Sequence, residues 1–297
     1  SDVARQSSLS FDELVAVYDK AILLVENEVL DVDFKDSAHK AHDSLLSQLE
    51  KSNGNGGESL VNHGELEAFK KAINSATGQD LVIEDMVGTG YGRQRLPFEK
   101  RQIRSEILCH GLGAHVMFPN TRTVLDIGGQ DTKAIQVDGS GVVTNFQMND
   151  RCAAGCGRYL GYIADELNIG LHELGPISLS ADRSCKICST CTVFAGAELR
   201  DLLSLGEKQE NILSGLHEAI VLRAMSLLAR SGGVHNEFTF TGGVAKNGAV
   251  VKALFEIVSQ NYGELKLNIH TDSIYTGALG AALYAHRAID LEDKNLA

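Results

Sequence analysis

Five of the six cysteines crowd into one stretch: Cys152, Cys156, Cys185, Cys188 and Cys191, with Cys109 apart. In a chain read as cytoplasmic they are expected to be thiols or metal ligands rather than disulfides. Two of them have a particular setting. Asn149-Asp150-Arg151-Cys152 and Ser189-Thr190-Cys191 each put a capping residue ahead of a cysteine in the first turn of an expected helix. A helix N-terminus carries positive partial charge, which lowers a thiol pKa and favours an anionic cluster. Cys152 and Cys191 are therefore candidate iron ligands as thiolates. The spacing allows a second set. Cys185-x2-Cys188-x2-Cys191 with Cys152 makes a four-cysteine cluster or zinc site in one chain, and on spacing alone it ranks above a two-ligand half-site. Cys109 reads as a core thiol and Cys156 as packing. Glu106 and His110 lie four apart on a helix, like a metal pair, but lack a third ligand nearby in sequence, so a solvated or hydrogen-bonded role is expected. Arg223 and Arg230 read as a charged face.

Two glycine pairs offer a different chemistry. Val124-Leu125-Asp126-Ile127 is an apolar strand that breaks into Gly128-Gly129-Gln130-Asp131 and resumes at Thr132-Lys133. Glycines at a strand end let backbone N–H groups approach an anion. Asp126 sits where a carboxylate can hold a metal-bound water; a hairpin with a capping Asp is the plainer alternative. Phe240-Thr241-Gly242-Gly243-Val244-Ala245-Lys246-Asn247 again runs strand, glycine pair, helix start, so its backbone can bear on a nucleotide. A third element, Tyr275-Thr276-Gly277-Ala278-Leu279-Gly280-Ala281-Ala282, is built of small residues that permit close helix packing. There is no G-x-x-x-x-G-K-[ST] loop, which excludes a P-loop ATPase.

The elements that must carry these residues alternate cleanly in the second half. Strands are expected at Val124–Ile127, Lys133–Val137 and Val142–Met148, the last two joined by the turn Asp138-Gly139-Ser140-Gly141. Helices follow at about 151–167, 191–204 and 210–231, then a strand at Phe238–Thr241, a helix over 247–260, a strand at Leu267–His270 and a closing helix from near Gly277. Earlier, short strands are expected at Ala21–Leu24 and Val29–Phe34, a helix over Asp36–Leu49, a flexible loop at Ser52–Gly57, a helix over Gly64–Ser75, a strand at Leu81–Val87 and a helix over Phe98–Cys109. Hairpin strands followed by strand–helix alternation give an α/β fold with a mixed sheet.

The chain has 297 residues, 43% of them hydrophobic, enough for two lobes. A net charge of −12 argues against nucleic acid. The sequence reads as lacking an apolar run of about 18 residues, so no membrane span is expected. Ser1-Asp2-Val3-Ala4-Arg5 has no basic-then-apolar leader pattern, whence the cytoplasmic reading.

Taken together, LDIGGQDTKAI, NDRCAAGCGRYL, STCTVFAGAEL, TGGVAKN and TGALGAALYA resemble the activator ATPases of 2-hydroxyacyl-CoA dehydratases and the ATPase subunits of benzoyl-CoA reductases. The resemblance spans residues 81–287. GCGRYLGYIADELNIGLHELGP and FAGAELRDLLSLG are most similar to the larger ATPase subunit of ATP-dependent benzoyl-CoA reductase. The resemblance implies a two-lobed actin/Hsp70-like (ribonuclease-H-like) ATPase fold, with an N-terminal lobe over 1–120 and a nucleotide- and cluster-binding lobe over 121–297, the last helix packing back on the first. It implies ATP and Mg²⁺ held by Gly128, Gly129, Gln130, Asp131, Lys133, Gly242, Gly243, Lys246 and Asn247, with Asp126 catalytic. It implies one [4Fe–4S] cluster bridging two subunits, each giving two cysteines, here Cys152 and Cys191; that displaces the single-chain site. The implied enzyme is a benzoyl-CoA reductase subunit using ATP to drive low-potential electron transfer from a ferredoxin-like donor. Its implied partners are a smaller homologous ATPase subunit and a pair of acyl-CoA-binding subunits. The alternative is a homodimeric activator of a 2-hydroxyacyl-CoA dehydratase. The family's opening loop, GxDxGSxxxK, has no counterpart in Ser1–Ser8; Lys20 and the strand after it match its end.

Overall fold

The computed structural model describes residues 84–94, 98–149, 156–187 and 192–296, together with residue 71. Almost all the elements expected before residue 84, and Cys152, Cys188 and Cys191, lie outside the described residues. The chain divides into two units, Ser1–Asp85 with Arg95–Pro97, and Met86–Gln94 with Phe98–Ala297.

The second unit is built on a five-stranded mixed sheet. Its strands are β1 (Thr123–Ile127), β2 (Thr132–Val137), β3 (Val143–Asn149), β4 (Phe238–Thr241) and β5 (Leu267–Asn268), in the order β3-β2-β1-β4-β5. β1 pairs antiparallel with β2 and parallel with β4. Both central strands are buried along their whole length, as strands covered on two faces must be. At the β2–β3 turn Asp138 Oδ1 accepts from the Ser140 and Val142 N–H groups, and Gly141 takes φ +79°.

Helices cover both faces. On one lie α1 (Glu106–Met117) and α7 (Thr276–Leu296). The other carries α2 (Gly157–Leu167), α3 (Leu174–Leu179), α4 (Thr192–Ser204), α5 (Gln209–Ser231) and α6 (Gly248–Tyr262). Alternate residues of β1 divide between two cores: Leu125 and Ile127 join the large one with α5 and α6, and Val124 joins Ile107, Ala114, Ile135 and Val137 under α1.

Four expectations need correction. The helix expected over Phe98–Cys109 is a 3₁₀ turn at Lys100–Gln102, an extended Ile103, and then α1 from Glu106. Gly111 and Gly113 hid its continuation to Met117, because glycine weakens a helix interior. Gly111 is needed because the sheet lies against it, a Cβ there standing 2.5 Å from Val143 Cγ2, and Gly113 because α7 crosses there: a Cβ on Gly113 would stand 2.0 Å from the Thr276 carbonyl oxygen, and one on Gly280 1.9 Å from that of Cys109. The second correction concerns α2, which starts at Gly157 rather than near 151, with extended Cys156 at its cap. Third, no strand runs through 84–87; Gly88 alone bridges Ile103. Finally, α5 does hold an 18-residue window of mean hydropathy 1.5, long and apolar enough to cross a membrane. That window is 61% buried in the core, which explains its composition.

His217, on α5, is 1% exposed, and burial pushes its pKa from 6.5 down to about 4, with a Leu213 backbone hydrogen bond working the other way. The unfolded chain therefore binds a proton that the folded chain refuses as pH falls from 6.5 towards 4, so this contribution to stability is full above 6.5 and is lost on acidification. It amounts to about 2 kcal/mol between pH 7 and pH 5. Urea unfolding of the native chain at those two pH values should show that loss, and His217→Gln, which cannot take up the proton, should remove most of it.

Candidate nucleotide and cysteine site

Strand register assembles the charged half of the site. Asp126 on β1 is opposite Lys133 on β2 and Thr241 on β4, so all three side chains project from one face. Asp126 is 2% exposed. Its Oδ1 accepts from Thr241 Oγ1 at 2.9 Å, and its Oδ2 lies 3.6 Å from Lys133 Nζ. Lys133 Nζ also donates to Asp131 Oδ1 at 2.5 Å and stands 3.6 Å from Glu106 Oε1. Tyr91 OH donates to Asp131 Oδ2 at 2.9 Å. From α1, His110 Nδ1 comes within 3.3 Å of Asp126 Oδ1, close enough to pair but out of line for a good hydrogen bond.

The charges settle one another. Burial works to raise Asp126, but His110, Lys133 and Thr241 hold it well below the usual carboxylate range. Burial works to lower His110, but Asp126 reverses the direction and the imidazole is raised. Lys133 is likewise raised against its own burial, by Asp126 and Asp131. Burial raises Glu106 despite Lys133. The pair on α1 therefore joins this network, through ion pairs of His110 with Asp126 and of Glu106 with Lys133.

The other half is a cleft of about 1030 Å³ at the carboxyl ends of β1 and β4. Open α/β sheets place ligands at such ends. Gly128, Gly129 and Gln130 line it from the first turn; Gly243, Lys246, Asn247 and Gly248 line it from the second. The opposite wall is Gly157, Arg158 and Leu160 of α2 with Leu171, His172, Gly175, Pro176 and Leu179 around α3. Asn247 Oδ1 accepts from the Ala249 and Val250 N–H groups and so caps α6. Gly242 stands behind the lip at φ +87°, ψ 173°, a conformation essentially reserved for glycine, and a Cβ there would meet the Ile127 carbonyl oxygen at 2.3 Å.

Six sequence-derived nucleotide residues thus line the cleft: Gly128, Gly129, Gln130, Gly243, Lys246 and Asn247. Gly242 shapes it from behind. Asp126, Asp131 and Lys133 do not face it; they are buried beneath the first turn, and a Cβ on Gly128 would be 3.4 Å from Asp131 Oδ1 and 4.0 Å from Asp126 Oδ2. The α2–α3 wall was missed. Its signal was faint: α3 has six residues and contains a proline.

The candidate ligands Cys152 and Cys191 lie outside the described residues, but the helices that follow them do not. The Gly157 and Arg158 N–H groups donate to the Gly128 and Gly129 carbonyls, each at 2.8 Å, docking the α2 N-terminus on the first turn. Tyr162 packs on Gly196, and Glu166 pairs with Arg200 at 2.7 Å. The four-residue step is the same on both helices, so α2 and α4 run side by side in one direction. Their N-terminal ends therefore lie at the same end of the molecule. Elsewhere, Cys109 is fully buried, as a core thiol should be. Cys156, also buried, takes the α2 cap position, and burial raises its pKa. Cys185 is buried and held protonated by burial and by Glu207. Among the described residues no group of three or more His, Cys, Asp and Glu side chains is placed to hold a metal.

Comparison with known proteins fits this geometry. The model of the BadF/BadG/BcrA/BcrD ATPase family matches residues 30–285. The chain belongs to that family. It is 42% identical to the 2-hydroxyisocaproyl-CoA dehydratase activator of Clostridioides difficile over 76% of this chain and 89% of that protein. To one of the benzoyl-CoA reductase subunits of Thauera aromatica it is 33% identical, over 73% of this chain and 77% of that one. A solved structure of the Clostridium difficile activator with bound ADPNP superposes with a TM-score of 0.65 at 36% identity, covering 81% of this chain and 85% of that one. The fold is thus the actin/Hsp70-like ATPase fold, and the chain is an ATP-binding member of this family.

Two adjacent glycines separate fold from site. Gly242→Ala should destabilise the chain by about 2 kcal/mol or more, since it forces a glycine-only conformation against the β1 backbone. Gly243→Ala meets nothing within 4 Å and should leave the melting temperature within a few degrees while weakening ATP binding, because it lines the cleft. Thermal melts with and without ADPNP read both effects.

Proposed function

We propose that this chain is an ATP-hydrolysing activator of a 2-hydroxyacyl-CoA dehydratase, coupling nucleotide turnover in the cleft to delivery of a low-potential electron from a [4Fe–4S] cluster shared by two subunits. The observation that carries it is the double attachment of α2. Its first N–H groups are bonded to the 128–129 turn, while the residues just ahead of it hold Cys152. Such a helix answers to nucleotide and cysteine at once.

The assignment of roles follows. The backbone N–H groups of Gly129 and Gly243 receive the phosphates, and Lys246 and Asn247 take the other part of the nucleotide. Asp126, two residues before the first turn, is buried beneath it and locked by Thr241, Lys133 and His110; we assign it the hydrolytic role through that turn, which it holds in place under the phosphates. Magnesium carried with ATP neutralises phosphate charge; Asp126 and Asp131 are the carboxylates nearest the turn. Cys152 and Cys191 are the ligands, and the common end of α2 and α4 suits them, because two adjacent helix N-termini stabilise thiolates. Cys185, kept protonated, is the poorer ligand. The cluster supplies the electron; the chain supplies a turn whose occupancy moves α2. A reduced ferredoxin-like protein is the donor, and the setting is cytoplasmic.

The dehydratase system is favoured over a benzoyl-CoA reductase because the identity to the activator exceeds that to the reductase subunit, 42% against 33%. The reductase reading keeps its own support from the second of these matches. Anaerobic chain with ATP and a reductant should switch on a purified 2-hydroxyacyl-CoA dehydratase with only catalytic ATP. Activation solely of a benzoyl-CoA reductase core, in complex with a second ATPase subunit, would transfer the assignment to the reductase.

Two variants test the roles. Asp126→Asn should slow ATP hydrolysis by at least tenfold and typically about 10²–10⁴-fold, with ADPNP binding retained. An unchanged rate removes Asp126 from the mechanism. Cys152→Ala or Cys191→Ala should abolish bound iron, and Cys109→Ala should not. Full iron in Cys191→Ala would sink the ligand assignment.

A further inference from the structure

His217 is buried deep behind the cleft on α5, away from the reacting groups, and yet both ring nitrogens are engaged. Nδ1 lies 3.0 Å from Ser178 Oγ of α3, and Nε2 lies 3.1 Å from Asn247 Nδ2 at the cap of α6. The donor directions follow by elimination. Asn247 Oδ1 is occupied by the Ala249 and Val250 N–H groups, at 3.0 and 3.3 Å. Its Nδ2 therefore faces His217, and an amide nitrogen can only donate. Nε2 must accept, so the ring proton sits on Nδ1, where it is offered to Ser178 Oγ and to the Leu213 backbone carbonyl.

We propose that His217 is a positioning residue for the nucleotide: through its Nδ1–H tautomer it ties Asn247 to Ser178 and so fixes the distance between the two walls at the α3 end of the cleft. The proposal rests on reading the cleft as the nucleotide site. Three observations support it. First, α3 turns two faces in opposite directions. Gly175, Pro176 and Leu179 line the cleft, and Leu174 and Ser178 point into the core. Ser178 is the polar hold on that short helix from behind. Second, Asn247 is shared: its oxygen caps α6, its nitrogen meets His217, and a Cβ on Gly175 would be 2.8 Å from its oxygen. α3 and the cap therefore touch with no space to spare. Third, a protonated ring would set an N–H against the Asn247 amide protons, two donors facing each other. The lowered pKa agrees; it comes from burial, with no charged side chain among its causes.

An imidazole buried at this cost packs no better than a leucine would. Its distinguishing property is a donor and an acceptor held at a fixed angle on a rigid ring. Leucine would keep the volume and leave both Asn247 Nδ2 and Ser178 Oγ unpaired. Asn247 would then be free to swing, and α3 would keep only apolar holds.

The test is ATP kinetics and ADPNP affinity in the full chain, prepared anaerobically. His217→Leu should raise the KM for ATP and the Kd for ADPNP about tenfold, the effect of losing one or two buried hydrogen bonds, while kcat at saturating ATP falls less than threefold. His217→Gln, which can again accept from Asn247 and donate to Ser178, should recover most of the affinity. Ser178→Ala keeps the ring and cuts only one link; it should give a smaller rise in KM, and it serves if the leucine variant does not fold. Equal ADPNP affinity in wild type, His217→Leu and Ser178→Ala overturns the proposal and leaves the nucleotide reading intact. A loss of stability in all three variants with unchanged affinity reduces His217 to a packing role and also overturns it. Failure of the wild-type chain itself to bind ADPNP would overturn the nucleotide reading instead.

Discussion

A carboxylate at the centre of a sheet is expensive to bury unless its charge is matched on the spot. Asp126 imposes that condition on the rest of the unit. Its neighbours in register supply half of the answer, Lys133 on one side and Thr241 on the other. The remaining half comes from above the sheet, where α1 lies. It brings down two polar residues one turn apart, Glu106 at its first position and His110. Burial drives Glu106 towards its neutral form, and Asp126 drives His110 towards its charged form. With Asp131 paired to Lys133, the network moves towards charge balance with little solvent contact.

That solution demands close packing outside it. For His110 to reach Asp126, α1 must lie low on the sheet, and α7 must lie low on α1. Gly113, Gly277 and Gly280 are the consequence. A Cβ on Gly277 would stand 2.8 Å from His110 Nε2. The ring is thus clamped between the α7 backbone and the carboxylate, and its orientation is fixed by packing as much as by charge. The small-residue run Thr276–Ala282 is therefore tied to the acidic centre, although the two lie about 150 residues apart in the chain.

How much of this could be read beforehand depended on how local the cause was. Strands flanking glycine pairs announced themselves, because apolar run, break and resumption occupy a dozen adjacent positions. The sheet, its mixed character and the long helices α5 and α6 followed from periodicity alone. The cleft's glycine lips were legible for the same reason. What could not be read was set by remote partners. Gly111 and Gly113 look like helix breakers until the sheet is laid under the first and α7 across the second. Asp131 and Lys133 look like nucleotide ligands in sequence, but strand register turns them beneath the turn, into the Asp126 network. The α3 wall has too few residues to show a period. His217 offers no pattern at all, since its partners, Ser178 and Asn247, lie 39 and 30 positions away on other elements.

The same geometry bears on how a nucleotide could act on distant thiols. The bonds from Gly157 and Arg158 to the first turn use donors that a helix N-terminus would otherwise leave unsatisfied. A Cβ on Gly157 would be 3.1 Å from the Gly128 carbonyl oxygen, so turn and helix meet without slack. They must move as one body. The tie between α2 and α4 is of another kind: a tyrosine ring on a glycine, and an ion pair whose arginine is 58% exposed and screened by solvent. A stiff joint at one end and a soft one along the side let α2 shift against α4 when the turn shifts. Coupling of this sort works only if the two arrangements differ in their affinity for ATP. On the proposed reading the turn would supply that difference, because the 128–129 backbone that lines the cleft is the backbone to which α2 is bonded.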